Sequence, residues 1–151
     1  MPEEKMTGFV LNALTEYAVA EASGEIGTAV WLPLAAGIQS VSPDSDETTD
    51  DTAYYDGGGS KEVTVTGITE SYTATGHRKY GDKAQDLIAG KFRKTGDDRN
   101  LLFQIKQPDG ITVAGLASVT EIKPFGGDAA EKGEFSAKIS FKKVPEEVTT
   151  P

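Results

Sequence analysis

The chain has 151 residues and a formal net charge of −9 at pH 7, a length that fits one domain, residues 1–151, with its own core. It has no cysteine, which excludes disulfides, thiolate metal sites and thiol nucleophiles, and its acidity opposes DNA binding, which requires clustered Lys and Arg. No apolar run approaches the roughly 20 residues that span a bilayer, so we expect no membrane partner and no cleaved signal.

The first 41 residues predict short strands. Residues 6–14 are apolar but fit neither period, so helix and strand both stay open there. Residues 16–32 alternate on either side of a turn at 23–27, which predicts a hairpin that ends before Pro33. Residues 38–41 form a further short strand.

Residues 42–60 interrupt this alternation. They contain six carboxylates and no Lys or Arg, show no apolar period, and end in three glycines. Such a stretch in a small domain is usually functional or disordered. It predicts a long acidic loop outside the core.

Calcium binding is the first chemistry that an acidic loop raises. Asp44 and Asp46 begin like an EF-hand, but Thr49 stands where that motif needs glycine and Tyr55 where it needs a bidentate Glu. The EF-hand match fails. A looser calcium or magnesium site stays an alternative to a solvated, self-repelling loop, and its ligands would be Asp44, Asp46, Glu47, Asp50 and Asp51.

A bent strand follows the glycines. Val63 and Val65 share one parity, whereas Ile68 and Tyr72 have the other. A one-residue change of phase at Gly67 predicts a β-bulge.

A helix is predicted at residues 82–94. Its apolar stripe consists of Ala84, Leu87, Ile88 and Phe92, and Lys91, Arg93 and Lys94 fall in its last turn. Asp82 is the predicted N-cap, and Gly96 the C-terminal stop.

The remainder predicts antiparallel strands. Residues 101–106 and 111–119 alternate around a turn at 107–110, and residues 134–142 alternate most regularly of all. A frayed tail from residue 145 completes the chain. We expect a mainly β (α+β) fold, an antiparallel β-sandwich or barrel of two packed sheets with the helix at its flank.

No catalytic centre is predicted. His77 has basic neighbours but no evident orienting carboxylate or nucleophile. The glycine-rich run before Lys61 lacks P-loop spacing and enters a strand. Tyr54 and Tyr55 suit a protein interface. We therefore expect no enzyme activity, cofactor or metal.

Six segments follow one another in a recognisable order. They are the acidic stretch at 42–60, Val63-Thr64-Val65-Thr66-Gly67, residues 76–85 that open the helix, Gln107-Pro108-Asp109-Gly110, Gly126-Gly127-Asp128-Ala129, and the strand at 134–141. This order resembles that of the major tail tube proteins of long-tailed (siphovirus-type) phages, whose relatives include the tube protein of type VI secretion. No single motif is diagnostic, so the likeness depends on their order and on the chain length.

The resemblance implies a structural virion protein that forms homohexameric rings. The rings would stack into a hollow tail tube through which DNA passes during ejection without specific binding. It also implies that the protein is synthesised in the host cytoplasm. Its partners would be the tape-measure, tail tip and tail terminator proteins. Heterologous contacts that close by rotation do give rings, and an acidic wall repels phosphate.

Carried onto this chain, the resemblance makes the acidic loop a stacking element that reaches neighbouring subunits. Residues 1–14 become an N-terminal arm and residues 145–151 a second one. The assembly residues are Asp44, Asp46, Glu47, Asp50, Asp51, Tyr54, Tyr55, Asp56, Gly57, Gly58 and Gly59. The alternative is a monomeric β-sandwich that binds a glycan or a protein through the Tyr pair, with calcium held by the loop.

Overall fold

The computed structural model describes residues 8–22, 29–143 and 145–147. Within them, eight strands and one α-helix follow in chain order. They are β1 (Glu16–Glu21), β2 (Leu32–Pro33), β3 (Ile38–Ala53), β4 (Lys61–His77), α1 (Lys83–Ala89), β5 (Asn100–Lys106), β6 (Thr112–Lys123), β7 (Glu134–Phe141) and β8 (Glu146–Glu147). Short 3-10 turns lie at Asn12–Leu14, Tyr55–Gly57 and Gly96–Arg99.

All the strands belong to one antiparallel sheet in the order β2-β1-β5-β6-β7-β4-β3. β8 pairs with β6 at Val113 and Ala114, a part of β6 that precedes its pairing with β7. The predicted mainly β class with one helix is confirmed. The two predicted layers are parts of a single open sheet.

An aromatic cluster shows how far this sheet curls. Tyr17 of β1 and Tyr72 of β4 are separated by three strands, yet their ring centroids lie 6.1 Å apart. Phe103 lies 5.6 Å from Tyr72 and 5.5 Å from Phe141. Burial raises the pKa of Tyr72, whose hydroxyl donates to Glu70 at 2.7 Å. Strands from opposite ends of the sheet therefore enclose a common core.

Several predicted strands are confirmed by this sheet. In β7, Phe135 and every second residue after it are buried. The turn at 107–110 joins β5 to β6. Ala18 and Val19 of β1 pair with Pro33 and Leu32, which confirms the first hairpin, but its second strand includes Pro33 and the predicted end before that residue is wrong. Of its predicted turn at 23–27, no part lies within the described residues.

Helix α1 is shorter than the predicted 82–94. Asp82 caps it by accepting a hydrogen bond from the Gln85 backbone N–H at 3.2 Å, which confirms the N-cap. The α-helix stops before Gly90, a residue of low helix propensity, and the chain continues in i+3 turns that include the bond from Lys91 N to Ile88 O. The predicted basic last turn, which Arg93 would share, is wrong because these residues follow the helix.

The predicted acidic loop at 42–60 is wrong for most of its length. Residues 42–53 belong to β3 and pair with β4 along their whole length, with one register shift between Thr48 and Thr49, and only residues 54–60 connect the two strands. The Thr residues of this stretch suit a strand. Its lack of an apolar period reflects the position of the apolar side chains, which lie on the partner strand β4.

The predicted β-bulge is confirmed. Thr48 pairs with Gly67 and the next residue, Thr49, pairs with Val65, so Thr66 is the extra residue on β4. The Thr66 hydroxyl donates to the Thr48 carbonyl oxygen at 3.1 Å.

The expected arms, residues 1–14 and 145–151, lie partly within the described residues. Residues 8–14 are exposed, including the apolar side chains of Phe9, Leu11 and Leu14. The expected fraying is wrong for Glu146–Glu147, which pair with β6. Residues 1–7 and 148–151 lie outside the described residues.

The base of the β3–β4 hairpin is held by Gln85 of α1, whose side chain is buried. Its Nε2 donates to the carbonyl oxygens of Ala36 at 2.9 Å and His77 at 3.0 Å. Its Oε1 accepts from the Lys79 backbone N–H at 2.7 Å and from Arg78 Nη1 at 3.3 Å. One amide thus satisfies backbone groups on both sides of the hairpin.

Two glycines let the strands approach each other at the same point. A Cβ on Gly37, which has φ of +78°, would lie 2.6 Å from the His77 carbonyl oxygen. A Cβ on Gly76 would overlap the Gly37 carbonyl oxygen. The hairpin base therefore requires glycine at both positions.

The substitution Gln85→Ala should lower the free energy of unfolding by about 3 kcal/mol, because it leaves buried backbone groups without partners. Urea unfolding monitored by circular dichroism measures this change. Gln107→Ala, at an exposed residue, should cost about 0.5 kcal/mol or less. Equal costs for the two variants would contradict the role given to Gln85.

Candidate assembly surface

The outer part of the β3–β4 hairpin extends beyond the sheet. β4 pairs with β7 only from Ser71 to His77, so residues 61–70 have β3 as their strand partner. We call residues 44–70 the ribbon. Its strands extend about 30 Å at roughly 3.3 Å per residue.

A lone two-stranded ribbon is marginally stable in water and normally needs a surface to pack on. With the exception of half-buried Thr52, Gly67 and Glu70, the residues of this ribbon are exposed. Its exposure therefore marks it as the candidate site of contact with another molecule.

One face of the ribbon is apolar. Val63, Val65 and Ile68 are 65%, 54% and 49% exposed. They stand opposite Asp51, Thr49 and Glu47 respectively, alternate residues of β3 that share one side of the strand. We call these six residues the apolar ribbon face.

The bulge at Thr66 creates this face. Strand side chains alternate between sides, so an unbulged β4 would direct Val63 and Val65 away from Ile68. The extra residue returns both valines to the side of Ile68 and of buried Tyr72. The apolar ribbon face is thus a continuation of the core face of the sheet into solvent.

The other face is acidic. It contains Asp44, Asp46, Asp50 and Glu62, with Thr48, Thr52, Thr64 and Thr69 among them. We call this the acidic ribbon face. It continues onto the sheet through Ser71, Thr73 and Thr75 of β4, which lie on the side opposite to the core residues.

The tip of the ribbon presents the predicted Tyr pair. Tyr54 is 54% exposed and Tyr55 is fully exposed. The 3-10 turn Tyr55–Gly57 is followed by Gly58 and Gly59, with φ of 66° and 90°. These two glycines therefore form a tight turn in a backbone conformation that favours glycine. A shallow depression between Ala53 and Gly59 borders both rings.

The predicted assembly residues all lie on the ribbon, but β3 divides the carboxylates between its two sides. Asp44, Asp46 and Asp50 lie on one side, and Glu47 and Asp51 on the other. Within the described ranges 8–22, 29–143 and 145–147, no group of three or more carboxylate or His side chains is placed to hold a metal ion. The strand geometry therefore disperses the alternative calcium ligands.

Sequence reasoning missed the apolar partners on β4 as site residues. Val63, Val65 and Ile68 were predicted only as strand residues, although the change of phase at Gly67 was the signal that places them on one face. That signal becomes informative only once β3 is known to lie beside them.

His77 has a structural place in β4. Its backbone N–H donates to the Gly37 carbonyl oxygen at 2.8 Å, and its own carbonyl accepts from Gln85. Glu134 stands opposite in β7, where its carboxylate pairs with Lys123. That ion pair lowers the pKa of Glu134.

Comparison with known proteins gives a likeness of fold. The sequence matches no protein-family model and no curated protein. A chain from the tail of an empty gene transfer agent particle, refined with C6 symmetry, superposes with a TM-score of 0.72 and 16% identity over 93% of this chain and 100% of the other. A chain from the native gene transfer agent virion has a TM-score of 0.69 and 15% identity, with coverage of 93% and 100%.

A chain of the SPP1 tail tube superposes with a TM-score of 0.66 at 14% identity, over 93% of this chain and 81% of the other. The chain therefore has the fold of tail tube proteins, which confirms the resemblance drawn from the sequence. In the described part of the chain, no helix has the length and apolar character to cross a membrane.

Replacing Val63, Val65 and Ile68 together with Thr should change the free energy of unfolding by about 1 kcal/mol or less, because the three side chains are exposed and Thr suits strands. Ile139→Thr, which introduces a hydroxyl into the core, should cost about 3 kcal/mol. Urea unfolding measures both variants. A triple variant as unstable as the core variant would show that the apolar ribbon face packs within its own subunit.

Proposed function

We propose that this chain is a structural virion protein that assembles into homohexameric rings stacked as a hollow tail tube. The observation that carries the proposal is an exposed ribbon with an apolar face, projecting from a domain with the tail tube fold. A surface of this kind gains stability when a neighbour covers it. The role is mechanical, without catalysis.

Sixfold rings are supported by the gene transfer agent tail, which was refined with C6 symmetry. A ribbon that contacts a different surface of the next subunit makes a heterologous contact, and such contacts close into rings or repeat along an axis. A second heterologous contact, directed along the ring axis, would let rings stack without a fixed limit.

The acidic ribbon face suits the inside of a tube that conveys DNA. Carboxylates on this face repel phosphate, whereas Lys and Arg would bind it. We therefore assign Asp44, Asp46, Asp50 and Glu62 to the lumen, with the hydroxyl-rich face of β4 beside them. DNA would pass without specific binding.

The chain ends complete the proposal. The exposed apolar side chains of Phe9, Leu11 and Leu14 suit an N-terminal arm that contacts a neighbour, and residues 145–151 would form a second contact. Three further proteins would contact the tube: the tape-measure protein in its lumen, and the tail tip and tail terminator proteins at its two ends. Synthesis would take place in the host cytoplasm before incorporation into the tail.

Electron microscopy of the purified chain, alone and with tail tip proteins, tests this proposal. Sixfold rings or tubes are the expected result. A particle that stays monomeric at high concentration in both conditions would overturn it.

A shortened ribbon tests its part in assembly. Replacing residues 46–69 with Asn-Gly joins Ser45 to Glu70, which already face each other in the register, through a turn suited to a hairpin. The variant should keep the wild-type thermal unfolding curve and form no tubes. Tubes of normal length from this variant would remove the ribbon from the assembly mechanism.

A further inference from the structure

Charge is unevenly distributed along the chain. The ribbon carries eight carboxylates and one Lys, a net charge of −7, out of −9 for the whole chain. Residues 78–99, which include α1 and the turns after it, carry seven Lys or Arg and four Asp, a net charge of +3. The two segments are therefore electrostatically complementary.

The turns after α1 place this positive charge beside a pair of aromatic rings, of which Phe92 is half-buried against the core and Phe125, in the loop after β6, is exposed. Phe92 and Phe125 meet edge to face, with centroids 6.4 Å apart, and Phe125 is 53% exposed. The Arg93 guanidinium lies 5.3 Å from the Phe92 ring centroid. Lys94 follows in the chain and is exposed. We call Phe92, Arg93, Lys94 and Phe125 the basic aromatic patch.

Arg99 fixes the backbone of this patch. Its Nε donates to the Lys94 carbonyl oxygen at 2.7 Å and its Nη2 to the Phe92 carbonyl oxygen at 2.8 Å. Its Nη1 reaches the Val119 carbonyl oxygen of β6 at 3.2 Å. The patch is thus ordered before any partner arrives, which reduces the entropy lost on binding.

The charges of the patch are available. In the described part of the chain, Arg93 and Lys94 make no ion pair. Neighbouring Lys91 differs, since its Nζ donates to the Asp98 carbonyl oxygen at 2.9 Å and burial lowers its pKa. Arg93 and Lys94 are therefore the cations that a partner would meet.

We propose that the basic aromatic patch receives the apolar ribbon face of a second copy of this chain. The two surfaces match in apolar character and in the sign of their charges. Val63, Val65 and Ile68 would cover the Phe pair, while Glu47 and Asp51 would meet Arg93 and Lys94. This inference rests on the proposed tube function and adds to it the surface on which the ribbon docks.

The contact has to be made between subunits. Gln85 binds the hairpin base to the start of α1, and Asp44 lies seven residues beyond Gly37, about 20 Å along the strand. Pairing with β7 holds β4 in its course as far as Ser71. Within one subunit Val63, Val65, Ile68 and Phe125 stay about half exposed or more, so the two surfaces do not cover each other.

Reciprocal charge reversal tests the contact. The variant Glu47→Lys/Asp51→Lys should raise the concentration needed for assembly about tenfold, which corresponds to about 1.4 kcal/mol. The variant Arg93→Glu/Lys94→Glu should do the same. Combining all four substitutions restores opposite charges across the contact and should return assembly to near the wild-type concentration. Sedimentation of assembled protein across a concentration series gives these values, and thermal unfolding checks that each variant is folded.

The acidic ribbon face supplies a matched control. Asp46→Lys/Asp50→Lys changes the net charge equally on the same strand but on the opposite side. Combining it with Arg93→Glu/Lys94→Glu should restore nothing. Equal rescue of both pairs would mean that net charge alone governs assembly, and it would overturn the inference.

The outcomes separate this inference from the proposed function. Wild-type tubes together with a four-substitution variant no better than its parents would overturn the docking surface and leave the tube function intact. A wild-type chain without rings or tubes, alone or with tail tip proteins, would overturn both.

Discussion

The extended hairpin depends on one buried amide. Gln85 reaches from α1 to Ala36, His77 and Lys79, where the two strands of the hairpin enter the domain. Both of its N–H donors and its oxygen are used, so its burial carries no unpaired polar group. Gly37 and Gly76 permit the close approach that this bonding needs. The direction of the ribbon is therefore set inside the domain, far from the tip.

The ribbon presents apolar side chains on one side and most of its carboxylates on the other, which neither of its strands does alone. β4 supplies the apolar side chains and β3 supplies most of the carboxylates, and the bulge at Thr66 aligns Val63 and Val65 with Ile68. Opposite sides of one thin element can then meet different surroundings. A neighbouring subunit and a hydrated channel are the two surroundings that the tail tube fold brings together in the proposed assembly.

Sequence patterns predicted elements whose signal is local. The alternation of β7, the cap at Asp82 and the phase change beside Gly67 each depend on residues close in the chain. The outer part of β3 was not predicted because the evidence for it is not local. Its apolar partners lie 12 to 21 residues later in the chain, and its own polar residues resemble a solvated loop. The sequence did not indicate the docking role proposed for Arg93, because the predicted helix included this residue.

The free edge of β4 has one further consequence. Between Lys61 and Glu70 this strand presents unpaired backbone N–H and C=O groups on the side away from β3. Apolar strand edges of this kind can pair with strands of other molecules and form fibrils. The bulge at Thr66 breaks the regular spacing of that edge, and the carboxylates of β3 beside it repel the equally acidic ribbons of other copies. In the proposed assembly, these two features would keep free subunits apart until a growing tube end recruits them.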